Sequence, residues 1–92
     1  FTNSASMNGD KGMTMAYLAT LAGQHGMLWV SLGMLPSNAK ASTRADVNAL
    51  GGSLGALATS PSDSAPAEMF DGDLETARRY GARIAALAAA RG

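Results

Sequence analysis

The stretch that decides the fold is Phe1-Thr2-Asn3-Ser4-Ala5-Ser6-Met7-Asn8-Gly9-Asp10, together with Gln24-His25-Gly26-Met27 one helix further on. The first segment begins with residues suited to extended backbone, passes through small polar residues and a glycine, and then enters a helical pattern. Asn8-Gly9 is a turn dipeptide, because both residues tolerate positive φ. Asp10 is expected to cap the helix, where its charge suits the positive end of the helix dipole. A strand that runs through such a loop into a helix offers backbone amides to a ligand at its carboxyl end.

Working outward, residues 11–24 read as a helix, with Met13, Tyr17, Leu18 and Leu21 expected to face a sheet. Gly23 weakens its last turn, and Gly26 is a natural left-handed stop. Residues 27–32, Met-Leu-Trp-Val-Ser-Leu, are short, nearly all apolar and bounded by glycines, so they are expected to form a central parallel strand. From 33 to 73 the pattern fades into Gly, Ser, Asn, Ala and Pro. A connection of that length in a compact domain is expected to be functional or interfacial. Asp71 or Asp73 is expected to cap a last helix over about 74–90, with Leu74, Ala77, Gly81, Ile84, Ala85 and Ala88 as its buried stripe. The order strand, loop, helix, strand, long loop, helix is that of an α/β doubly wound parallel sheet. One strand cannot cover two helices. Residues 1–92 are therefore expected to be the C-terminal part of a single domain, incomplete alone, with 33–73 as a long insertion.

Composition sets further bounds. At 92 residues the chain holds one domain at most. A chain of this size buries only about 60–65% of its unfolded surface. Many of its apolar residues are Ala, with two Phe, two Tyr and one Trp, so the core is expected to be thin. The formal net charge of +0 gives no electrostatic case for a nucleic acid or an anionic membrane surface as partner. There is no Cys, hence no disulfide framework, thiol nucleophile or cysteine metal site. No apolar run reaches the roughly 18 residues that a membrane helix needs. A soluble, cytoplasmic protein is expected, with no metal. The first residues look like the end of a strand, which suggests a piece of a longer protein.

Four blocks then occur in a telling order: Phe1-Thr2-Asn3-Ser4 leading to Gly9, His25-Gly26-Met27, Gly51-Gly52-Ser53-Leu54-Gly55-Ala56, and Ala77-Arg78-Arg79-Tyr80-Gly81. With them the chain resembles the C-terminal half of flavodoxin-like NAD(P)H:quinone oxidoreductases of the tryptophan-repressor-binding-protein type. The resemblance implies a flavodoxin fold, non-covalent FMN as cofactor, NAD(P)H as co-substrate, a quinone as substrate, and assembly as a homo-oligomer, commonly a tetramer. It implies that Asn3, Ser4, Ala5, Ser6, Met7, Asn8 and Gly9 lie against the flavin ring. It also places His25 beside the flavin as a cofactor-binding and catalytic residue. The chain departs from the family where Asn8-Gly9-Asp10-Lys11 stands in place of the Gly-Gly-Gln-Glu run that relatives often carry. The family's phosphate-holding loop belongs to the half that has no counterpart here.

Plainer readings stand beside these. The loop 4–9 also fits an ordinary strand-to-helix connection. His25 also fits a helix C-terminal histidine interacting with the dipole. The run 51–56 reads as a glycine loop and not as a phosphate cradle, because no Lys-Ser/Thr follows it. The six Met read as core filler, and Arg78, Arg79 and Arg83 as a solvated or intersubunit face. The function alternatives to the oxidoreductase are a non-catalytic α/β interaction module and a flavodoxin-type electron carrier.

Overall fold

The computed structural model describes residues 1–91. β1 (Thr2–Ser4) leads through a loop into α1 (Lys11–Gln24). A long irregular stretch then reaches β2 (Leu57–Thr59), a single 3-10 turn (Pro66–Glu68) and α2 (Asp71–Arg91). β1 and β2 pair in parallel, with Thr2 opposite Leu57, Asn3 opposite Ala58 and Ser4 opposite Thr59. The α/β class and the parallel sheet agree with the sequence reading, as do β1 and the bounds of α1.

α1 stops where expected. Gly26 takes φ 68, its amide donates to Gly23 at 3.1 Å, and the Met27 amide donates to Ala22 at 2.9 Å. These two bonds take up carbonyls that a helix end leaves open. Its start is different. Asp10 holds the N-cap place in the left-handed conformation (φ 51, ψ 32), and its side chain caps nothing. The Asp10 amide donates instead to Asn8 Oδ1 at 2.9 Å.

The covered face of α1 is also turned from the expected one. Lys11 and Met15 are buried, and Leu18 and Ala22 are half-buried, while Met13 and Tyr17 stay exposed. In α2 the buried residues are Gly72, Asp73, Thr76 and Tyr80, whereas Leu74 and Ile84 of the expected stripe are exposed. Both helices bury the side chains that reach partners on the long connection or the loop. Their expected apolar faces stay exposed.

Residues 27–32 form no strand. The segment is pinned by side chains rather than by a ladder. Tyr80 Oη donates to the Val30 carbonyl at 2.6 Å, Arg83 Nε to Ser31 at 3.0 Å, and Trp29 Nε1 to Leu54 at 2.9 Å. The Leu32 amide donates to Ser53 at 3.0 Å, and Leu32, Ala56 and Tyr80 make the small apolar core with Val30 and Met34 against it. The expected featureless run 33–73 therefore holds the second strand. Its organiser is Asn48, buried and at φ 54. Its amide group donates to Met34 and Gly52 carbonyls at 3.2 and 3.1 Å, and its Oδ1 accepts from the Gly52 amide at 3.0 Å. Its own backbone amide donates to Thr76 Oγ1 at 2.7 Å, which fixes the turn to α2.

Neither aspartate caps α2 in the manner expected. Asp73 turns its carboxylate to Arg44 Nη1 and Nη2 at 2.8 and 2.6 Å, and accepts from the Thr59 amide at 3.0 Å. The connection lies so close to this first turn that a Cβ on Gly72 would come within 2.3 Å of the Asp46 carbonyl and 2.4 Å of that of Ala45. Gly81, in the same helix, has nothing within 4 Å of such an atom. Gly72→Ala is thus expected to destabilise the fold by roughly 1–3 kcal/mol, because backbone must move. Gly81→Ala is expected to stabilise it by about 0.5–1 kcal/mol through helix propensity alone. Urea unfolding of the two variants checks the opposite signs.

Candidate functional site

Parallel pairing sends both strands out of the same edge of the sheet. At that edge the Ser60 amide donates to the Ser4 carbonyl at 3.1 Å, and Asn3 Nδ2 donates to Ser60 Oγ at 2.8 Å. The loop 5–10 rises from this seam, and its residues are all exposed. Gly9 holds φ 53, and a Cβ there would meet Ser4 Oγ at 2.1 Å. The loop therefore folds back onto the end of β1, and only glycine fits at its tip.

The polarity of this loop is set from below. Ser4 Oγ donates to the Ser6 carbonyl at 3.0 Å. Lys11 Nζ donates to the same carbonyl, and to that of Met7 at 3.0 Å. Among the described residues no protein acceptor receives an amide of residues 5–9. The carbonyls of Ser6, Met7 and Asn8 are thus held from within, and the N–H groups of residues 5–9 are unused among the described residues. Such a surface receives a ligand edge of oxygen and nitrogen acceptors.

Lys11 is only 3% exposed. Burial pushes its ammonium below the usual value of 10.5, the charge of Arg44 adds to that, and Asp73 opposes it. Arg44 is further held over the Phe70 ring, 4.1 Å from its centre. Beside this cluster Thr59 Oγ1 is buried with no partner.

Of the residues expected at the site, Asn3, Ser4, Ala5, Ser6, Met7, Asn8 and Gly9 are brought together. His25 is not among them. It follows the last residue of α1, at the end opposite the loop, and 14 residues of helix make that about 20 Å. It lines a cavity of about 780 Å³ between the two helices, with Phe1, Trp29 and Tyr80 among the other walls. Lys11 and Arg44 carry no role in the sequence reading, and Asp73, expected as a cap of α2, instead joins them in this cluster. A signal was present: a lysine as first residue of a helix opposes the dipole, so a local rule is broken there.

No family model matches the chain, and no solved structure matches it. Flavodoxin FldP of Pseudomonas aeruginosa (strain UCBPP-PA14) is 56% identical to it over 85 residues, which is 92% of this chain. The chain is flavodoxin-like. It spans 46% of that relative's length. The comparison corrects the expected enzyme class. The relative is named a flavodoxin and not an NAD(P)H:quinone oxidoreductase. The comparison does not extend to the NAD(P)H co-substrate or to the quinone substrate that the resemblance implied. In this flavodoxin-like chain no described helix is long and apolar enough to cross a membrane.

The state of Lys11 gives a direct check. Its folded value lies below 10.5, so between the two values the unfolded chain holds more protons and stability rises with pH. Observing the Lys11 side-chain carbon by NMR during a pH titration is expected to show a midpoint below 10.5. A midpoint at or above that value would contradict the burial of Lys11.

Proposed function

We propose that the chain supplies the flavin-ring loop of a flavodoxin-type electron carrier with non-covalently bound FMN. The observation that carries this reading is the loop 5–9, with its unused amides at the carboxyl edge of a parallel strand pair. The similarity to a flavodoxin over nearly the whole chain supports it.

The donor set fits the cofactor. Isoalloxazine presents nitrogen and carbonyl acceptors along one edge, and neutral amides match them without a counter-charge. The exposed side chains of Ala5, Ser6 and Met7 are small or flexible and leave room for a flat ring. FMN, when bound, supplies reversible electron uptake. The part of this chain is to bind and orient the ring and to keep fixed N–H dipoles at the edge where negative charge grows on reduction. Gly9 holds the loop against Ser4, so the amides are preorganised before the ligand arrives.

Titration of the intact apo-protein with FMN, followed by flavin fluorescence quenching, tests the reading. Tight quenching supports it, and no binding returns the chain to a non-catalytic interaction module. Gly9→Val is expected to weaken FMN binding more than it weakens folding, because a β-branched residue resists positive φ and meets Ser4 Oγ in the loop itself. His25→Ala is expected to leave FMN affinity within about twofold, since a residue some 20 Å along α1 from the loop makes no contact with a ring bound there. The same quenching titration measures both.

A further inference from the structure

We propose that Lys11 is the positioning residue for the flavin loop, acting as a buried cationic clamp that turns the carbonyls of Ser6 and Met7 inward and so leaves the loop amides to the ligand. This rests on the functional reading above and extends it to a residue that does not touch the cofactor itself.

Three observations point the same way. The first is cost. A lysine that is 3% exposed has given up most of its contact with water, and at the first position of α1 it also faces the positive end of a helix dipole. Nothing local favours it there, so it is retained only if its bonds to the loop outweigh both penalties. The second is geometry. The hydrogen-bond partners of Nζ are the two consecutive carbonyls of the loop, Ser6 and Met7, and one of these is shared with Ser4 Oγ. A peptide unit whose carbonyl is held from below must send its N–H the other way. The amides that follow those carbonyls belong to Met7 and Asn8, and neither donates within the protein. The third is support. Asp73, itself 3% exposed, attracts the Lys11 ammonium while Arg44 repels it, and Arg44 is fixed by its two bonds to Asp73 and by the Phe70 ring. The clamp therefore stands on α2 and on the long connection as well as on α1. The groups that face it are the Ser6 and Met7 carbonyls above and the Arg44–Asp73 pair beside.

Two consequences separate this role from plain packing. Removing the ammonium should loosen residues 5–9 in the absence of any ligand, and it should weaken FMN binding in proportion. A lysine that only filled space would be replaced by methionine with no change in the loop.

The experiment compares the intact wild-type protein with Lys11→Met, Lys11→Gln and Lys11→Arg. Amide hydrogen exchange and backbone relaxation at residues 5–9 are read in the apo-proteins, and FMN affinity by quenching. Lys11→Met is expected to mobilise the loop and to weaken FMN binding by about 10- to 100-fold, the loss that corresponds to hydrogen bonds from a charged donor. Lys11→Arg keeps a cationic donor and is expected to recover part of both. If Lys11→Met does not fold, Lys11→Gln is read in its place, with the same direction expected. Unchanged loop order and unchanged FMN affinity in the folded variants would overturn the proposal, as would full recovery by Gln, which carries no charge. A wild-type protein that binds no FMN overturns the flavodoxin-type reading instead, and loop order in the variants then still decides the clamp.

Discussion

The carboxylate of Asp73 is the point on which the other elements depend. It leaves the first turn of α2, takes both terminal nitrogens of Arg44 from the long connection, and accepts the Thr59 amide at the end of β2. Three segments that share no secondary structure are thus joined by one side chain, which is 2% exposed against 23% for its arginine partner. A buried carboxylate is stable only when its lone pairs are filled, and here a bidentate guanidinium and a backbone amide fill them. One turn further along α2, Thr76 accepts the Asn48 amide and donates to the Gly72 carbonyl at 2.6 Å. The same helical face therefore anchors the connection twice.

This polar framework carries weight because the apolar core is small. Met15, Leu32, Ala56 and Tyr80 are the buried hydrophobic residues. Gly55 makes room for two of them: a Cβ there would lie 2.5 Å from Met15 Cε and 3.4 Å from the Tyr80 ring. With so little apolar area removed from water, directional bonds must specify where the connection lies. Tyr80 does both at once, packing its ring against Leu32 and Ala56 and donating to the Val30 carbonyl. The exposed ion pairs of Glu75 with Arg78 and Arg79 add little by comparison, although those two arginines hold the Glu75 carboxyl at about 2.

The framework also explains why the candidate site sits where it does. β1 and β2 run parallel, so both discharge at the edge where Asp73, Arg44 and Lys11 gather. The cluster supports the loop from beneath and fixes which of its polar groups turn inward. The opposite end of α1 has no such cluster. There His25 borders an apolar cavity, and its place in the chain next to Gly26 reflects how the helix ends.

Much of the local structure was legible in the sequence. Asn8-Gly9 marked the turn, Gly26 the end of α1, and the bounds Lys11–Gln24 follow from residues adjacent in the chain. The passage from β1 through the loop to α1 is likewise written in consecutive residues. These features depend on backbone preferences that each residue brings with it. The tertiary structure alone decided the rest. The apolar run 27–32 lacks a strand neighbour, and strand pairing is a property of two segments, so it is held by Tyr80, Arg83 and Trp29 instead. β2 is three residues long and carries no pattern of its own; its partner β1 defines it. Lys11 looks like a solvated charge and Asp73 like a helix cap until Arg44, Thr59 and the Ser6 and Met7 carbonyls are placed around them. Burial of a charge is determined by what surrounds it, and those surroundings come from residues that are far apart in the chain.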